Sequence, residues 1–300
     1  MLRVPKHKEA LGQLLEDRPP VSQVILSLKA QEKPNASIQT FADLIQRCTL
    51  ERDMEAGKLL HIVMIKHGVG SISYLCDHLI RLFSSCDNFE EATHVFDGVG
   101  KPSVYTWNAI ISAYMKAGRH VKVFALYMKM QEKVQDEGNE EGKEDINPSK
   151  VTFLYLLKAC GSMLELGCGR LFHHQIVAES GLDLDITIGT SLIDMYCKCE
   201  NLEDACRVFS LMPRRNAITF GAMISGYIQI GHVSLALELF QRYCVEGPKP
   251  DKHTYSCILK GCAIVAAPRE GKMVHNKIML EGMDSDMVIG NSLVDMYAKC

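Results

Sequence analysis

The sequence predicts an all-α protein, a solenoid of tandem helical hairpins. Three observations predict it. A long block recurs within the chain, a Thr–aromatic pair returns at spacings of one or two hairpins, and apolar residues step by three and four between glycine and proline stops.

The recurring block comes first, because it fixes the unit. Tyr155–Cys199 and Ser256–Cys300 share a pattern about 102 residues apart. Cys160, Gly169, His173, Asp185, Leu192, Asp194, Tyr196 and Cys199 return as Cys262, Gly271, His275, Asp286, Leu293, Asp295, Tyr297 and Cys300. A weaker copy lies upstream in Cys48, Gly57, His61, Gly68, Leu79, Phe83 and Cys86. Inside this long period the Thr–aromatic pair opens five segments, at Thr40-Phe41, Thr106-Trp107, Thr152-Phe153, Thr219-Phe220 and Thr254-Tyr255. The cuts fall at 38–72, 73–103, 104–149, 150–185, 186–216, 217–251, 252–286 and 287–300, the last a truncated unit. Their lengths suit helix-turn-helix repeats. Residues 1–37 are a leader or a partial repeat, and Glu9, Glu16 and Asp17 among the basic residues leave no clear targeting segment.

Each unit reads as two helices. In 217–251, Ile218, Ala222, Met223, Tyr227 and Ile230 form one apolar stripe. Thr219 is expected to cap it, and Gly231 to stop it in the left-handed conformation. Val233, Leu235, Ala236, Leu239, Phe240 and Tyr243 form a second stripe, which Pro248 and Pro250 bring to an end. The unit 104–149 repeats the design, with Gly118 at its turn and Asn147-Pro148 at its exit. No hairpin of this kind buries its apolar face alone, so stacked neighbours must share one core.

Composition narrows the function. Of the 300 residues 47% are hydrophobic and 23% charged, and net charge is −3, which by itself points away from nucleic acid. The stretch Asp136–Asp145 (DEGNEEGKED) carries −5 of it, so the rest of the chain is at +2. It reads as a solvated acidic insertion. The 12 cysteines include no C-x-x-C pair and repeat in phase, as small buried residues do. His61, His173 and His275 also repeat in phase, one per long unit; units that touch only their neighbours keep them apart, so packing explains them better than a metal. No apolar run of transmembrane length is present, so no membrane partner is expected. A zinc deaminase needs H-x-E and a following P-C-x-x-C, and only His7-Lys8-Glu9 matches. The chain itself is therefore expected to be no enzyme, with no metal and no cofactor.

The runs MYCKC and MYAKC, LLKACGS, VYTWNAIISAYMKAG and VFSLMPRRN resemble the plant pentatricopeptide repeat (PPR) proteins. The alternation of unit lengths resembles their PLS subclass. In those terms 38–72, 150–185 and 252–286 are L-type, 73–103, 186–216 and 287–300 S-type, and 104–149 and 217–251 P-type. The resemblance implies a right-handed α-superhelix that binds single-stranded RNA with one repeat to a base. It also implies an organellar location, a role in C-to-U editing or other RNA processing, and editing cofactors or a deaminase supplied in trans or in sequence after Cys300.

Carried onto this sequence, the base-facing positions near the start of each first helix are Ala42, Asp77, Asn108, Leu154, Thr190, Gly221, Ser256 and Asn291. Their partners at the unit ends are Ile72, Ser103, Ser149, Asp185, Asn216, Asp251 and Asp286. Asn108 with Ser149 resembles a cytosine reader and Thr190 with Asn216 an adenine reader, which gives a sparse C-N-A preference. Leu154 with Asp185 resembles a non-reader, and Gly221 departs from the family's Asn or Thr. The alternative is a protein-binding scaffold of the tetratricopeptide kind, built from similar hairpins.

Overall fold

A computed structural model describes residues 19–30, 36–137, 147–180, 182, 185–247 and 249–300. His7–Glu9, most of the acidic insertion, Gly181 and Pro248 lie outside the described residues. The described residues form sixteen helices and no strand. Helix α1 (Val21–Ala30) has no hairpin partner of its own and packs on the first hairpin. Hairpins follow: α2 (Ile38–Glu51) with α3 (Met54–Lys66), α4 (Ser73–Ser85) with α5 (Phe89–Asp97), and α6 (Val104–Lys116) with α7 (His120–Glu137). Next come α8 (Lys150–Met163) with α9 (Leu166–Gln175), which runs on as a π-helical turn Ile176–Ser180, and α10 (Ile186–Lys198) with α11 (Leu202–Leu211). The last are α12 (Ala217–Gln229) with α13 (Val233–Glu246), α14 (Lys252–Ile264) with α15 (Pro268–Leu280), and the single helix α16 (Met287–Lys299).

The chain divides into two compact units, Met1–Asn147 and Pro148–Cys300. In the first, the even-numbered helices α2, α4 and α6 pack in a row; in the second, α8, α10, α12, α14 and α16 do the same. Within each unit every odd-numbered helix that follows a first helix packs on its own partner and on the next first helix in the row. This is the all-α solenoid the repeats predict.

The Thr–aromatic pair explains how each first helix begins. Thr219 is not the cap that the apolar stripe suggests. Asn216 is, its side chain accepting from the Thr219 amide at 2.9 Å. Thr219 is the third helical residue, and its hydroxyl receives the Asn216 N–H to complete a capping box. Ser37, Ser103, Ser149 and Asp251 cap in the same way, each accepting from the amide of the threonine three residues on. The aromatic that follows enters the core. Phe220 stacks on Tyr243 of its own second helix at 4.3 Å between centroids and meets Phe209 of the preceding one edge-on at 5.3 Å. Trp107 meets Phe96 of the preceding second helix at 4.8 Å. Each such buried ring contributes on the order of 3 kcal/mol.

Between the helices of each hairpin one residue takes the left-handed conformation. Gly118 and Gly231 do so with φ of 67° and 89°, as their positions in the sequence suggest. The other five hairpins place Arg52, Asp87, Leu164, Glu200 and Ala266 there, with no glycine.

The phased histidines and cysteines belong to this packing. His173 Nδ1 lies 2.8 Å from the Tyr196 hydroxyl on the next first helix, and His275 Nδ1 lies 2.9 Å from Tyr297. Phe83 stands where those tyrosines would be in the first long repeat, and His61 instead meets His94 edge-on at 6.3 Å. Burial lowers the His61 and His173 imidazoles below their usual range. Cys48 and Cys160 are fully buried, and burial pushes both thiols up to about 12. Thiols held that high carry almost no thiolate at neutral pH.

Candidate nucleic-acid interface

Every base-facing position carried over from the family falls at the fifth residue of a first helix. Ala42 is fifth in α2, Asp77 in α4 and Asn108 in α6. Leu154, Thr190, Gly221, Ser256 and Asn291 are fifth in α8, α10, α12, α14 and α16. Because first helices lie side by side, residues in the same register form a row along each unit. The unit-end partners Ile72, Ser103, Ser149, Asp185, Asn216, Asp251 and Asp286 are the N-caps of the first helix that follows. All but Ile72 use the side chain as the cap. One residue therefore ends one repeat and caps the next, which ties its orientation to helix initiation.

The row of fifth residues lies on the seam between successive first helices. On α14 and α16 the seam opens as a recess of about 270 Å³. Ser256, Lys260 and Ile264 line one side; Asn291, Ser292, Asp295 and Lys299 line the other. These residues follow the four-residue step of one helical stripe, so the fifth residue's stripe is the one that faces the recess. The same stripe on the other first helices carries Arg81, Lys116, Lys158 and Lys198. Six cations thus sit one or two turns beyond the fifth residues, against Asp77, Asp194 and Asp295. Asp194 and Asp295 are already paired with Lys198 and Lys299 on their own helices, at 2.6 and 2.7 Å. A chain with net charge −3 therefore carries a net positive stripe beside its polar row.

The fifth residues are not equivalent. Ala42 and Asp77 are buried, and Asn291 is exposed on the last helix. Asn108, Leu154, Thr190, Gly221 and Ser256 are half-buried. Burial holds the Asp77 carboxyl above the usual carboxylate range, against the opposing pull of the Thr106 hydroxyl, Arg81 and His78. Its Oδ1 has no hydrogen-bond partner. Ser256 Oγ lies 2.6 Å from Ser292 Oγ on α16. Asn108 and Ser149 belong to different compact units and are each described within their own.

Three sets of residues join the candidates only once the structure is seen. A buried capping-box threonine touches one fifth residue: Thr190 Oγ1 lies 2.9 Å from Thr219 Oγ1. Lys150 Nζ lies 2.7 Å from Asp185 Oδ2, and Lys252 Nζ lies 3.9 Å from Asp286 Oδ2. Partial burial would raise the Asp185 carboxyl, but the Lys150 bond and the amides of Ile188 and Thr187 outweigh it and hold the group low. The stripe cations are the third set, and their offset of four or eight residues from the fifth positions was the signal available in the sequence.

Comparison with known proteins follows the same repeats. The family model described as PPR repeat family matches residues 215–264, and the PPR repeat model matches 105–133 and 190–216. A putative mitochondrial pentatricopeptide repeat-containing protein of Arabidopsis thaliana is 30% identical over 289 residues, covering 94% of this chain and 44% of the relative. A chloroplastic one from the same plant is 28% identical over 261 residues, covering 87% of this chain and 40% of the relative. The chain thus spans less than half the length of these two relatives. The crystal structure of the pentatricopeptide repeat protein PPR10 from maize shares the fold, with a TM-score of 0.59 at 16% identity over 99% of this chain and 46% of that one. A chain whose hairpins match the repeat models in three stretches, and whose alignment with plant relatives runs through nearly every unit, belongs to the pentatricopeptide repeat family.

Proposed function

We propose that this chain binds single-stranded RNA along the row of fifth residues, with about one base to each repeat. One observation carries the reading: the fifth residues stand in fixed register on the stacked first helices, polar at Asp77, Asn108, Thr190, Ser256 and Asn291, with an N-cap on one side and, on six of the helices, a cation further along the same stripe. Small polar side chains at such a spacing can bond a base edge, while lysines one or two turns away take up phosphate charge. Asn108 with Ser149 favours cytosine, and Thr190 with Asn216 favours adenine. Asp77 with Ser103, Gly221 with Asp251, Ser256 with Asp286, and Asn291 contribute weaker contacts. The PLS assignment of the repeats, a place in organellar C-to-U editing or other RNA processing, and editing cofactors or a deaminase acting in trans belong to the same proposal. Relatives whose names place them in chloroplasts and mitochondria support the organellar part.

The test is a panel of single-stranded RNAs varied one nucleotide at a time, bound by the 300-residue chain and by Asn108→Ala/Thr190→Ala. The double variant should lose preference at two positions, about tenfold at each, with little change elsewhere. Preference unchanged in the double variant would refute base reading at these positions.

A further inference from the structure

The hydrogen bonds behind Thr190 run in one direction only. Thr219 Oγ1 donates its single proton to Asn216 Oδ1 at 3.0 Å. The contact between Thr190 Oγ1 and Thr219 Oγ1, at 2.9 Å, must therefore have Thr190 as its donor. With its proton spent inward, the Thr190 hydroxyl offers only lone pairs to a ligand. Asn216 Oδ1 is occupied by the Thr219 amide and hydroxyl, so its Nδ2 amide is the part left to donate.

Thr219 is 0% exposed, so water cannot substitute for this link.

We propose that Thr219 is a positioning residue, transmitting the hydrogen-bond polarity of the Asn216 N-cap to Thr190, the fifth residue of the preceding first helix, and so fixing which base edge that residue accepts. This rests on the base-reading role proposed above. It gives a physical reason why a base would be read by two residues that belong to different helices. The intervening threonine touches no base; it sets the donor or acceptor state of the side chain that does.

The test is Thr219→Val in the whole chain. Valine keeps the β-branched volume, and the backbone amide of residue 219 can still bond Asn216. Affinity is measured for four single-stranded RNAs that differ only at the nucleotide Thr190 reads. The ratio between the preferred and the least preferred base should narrow about fivefold, the weight of one neutral hydrogen bond, with affinity for the least preferred base nearly unchanged. Thr219→Ser should restore the ratio. If valine weakens folding, Thr219→Cys repeats the measurement with a comparable volume and only a weak donor. An unaltered ratio, or an equal loss on all four RNAs, overturns the relay. Thr190→Ala separates the two levels. If it abolishes the preference while Thr219→Val does not, the relay alone fails; if Thr190→Ala also changes nothing, base reading at this repeat fails and the relay with it.

Discussion

Replacing Lys158 and Lys260 together by glutamine tests the electrostatic half of the interface. Both lie four residues beyond a fifth residue, both are exposed, and neither has an ion pair among the described residues. Lys198 and Lys299, by contrast, are held by Asp194 and Asp295 and must exchange those carboxylates before meeting a phosphate. Each phosphate neutralised on a single strand contributes about 0.7 to the slope of log affinity against log salt. Losing two such contacts should flatten the slope by about 1.4. Between about 50 and about 200 mM salt, wild-type affinity should therefore fall about sevenfold more than that of the double variant. Fluorescence anisotropy with a labelled single-stranded RNA across that range gives the slope directly. At exposed sites the substitutions should alter stability by less than about 0.5 kcal/mol, which a thermal melt checks. Equal slopes for the two proteins would show that RNA phosphates do not follow this stripe.

Two further predictions concern stability. The neutral form of Asp77 is favoured in the fold, so its contribution is fully present below the ordinary carboxylate value of 3.8 and is lost as pH rises. Asp77→Asn should accordingly melt higher than wild type at neutral pH, with the gap closing as pH falls towards 3.8; a gap independent of pH would contradict this. Leu164 holds φ 60° and is 66% exposed, so it carries left-handed backbone strain with little burial to offset it. Leu164→Gly should stabilise the chain by about 1 kcal/mol in chemical denaturation, and a loss of stability would refute the strain.

Much of this architecture was legible because the repeat writes each decision several times. The three- and four-residue spacing of apolar residues and the stops at Gly118 and Gly231 sufficed to place helices and turns, but not every core residue: Ile218 of the expected stripe is 65% exposed, while Phe220, Ile224 and Ile228 are buried beside Met223. What was not legible had a different physical origin in each case. Thr219 looked like a cap because threonine caps well, but Asn216 lies three residues earlier and bonds the first turn better, leaving Thr219 to close the box from inside. The turns at Leu164 and Ala266 carry no glycine, since the stacked helices on either side hold the left-handed residue in place. The fifth positions came from family resemblance; their chemistry did not. That Asp77 is buried and that Thr190 spends its proton on Thr219 depend on the neighbouring helix, which no local pattern reports.

The most direct test is ultraviolet crosslinking of the chain to thiouridine-substituted single-stranded RNA, read by mass spectrometry. Crosslinks should fall on peptides from the first halves of α6, α10, α12, α14 and α16, around residues 108, 190, 221, 256 and 291. Crosslinks concentrated on the second helices α3, α9 and α15 would place the RNA on another surface and contradict a row of fifth residues that meets the bases.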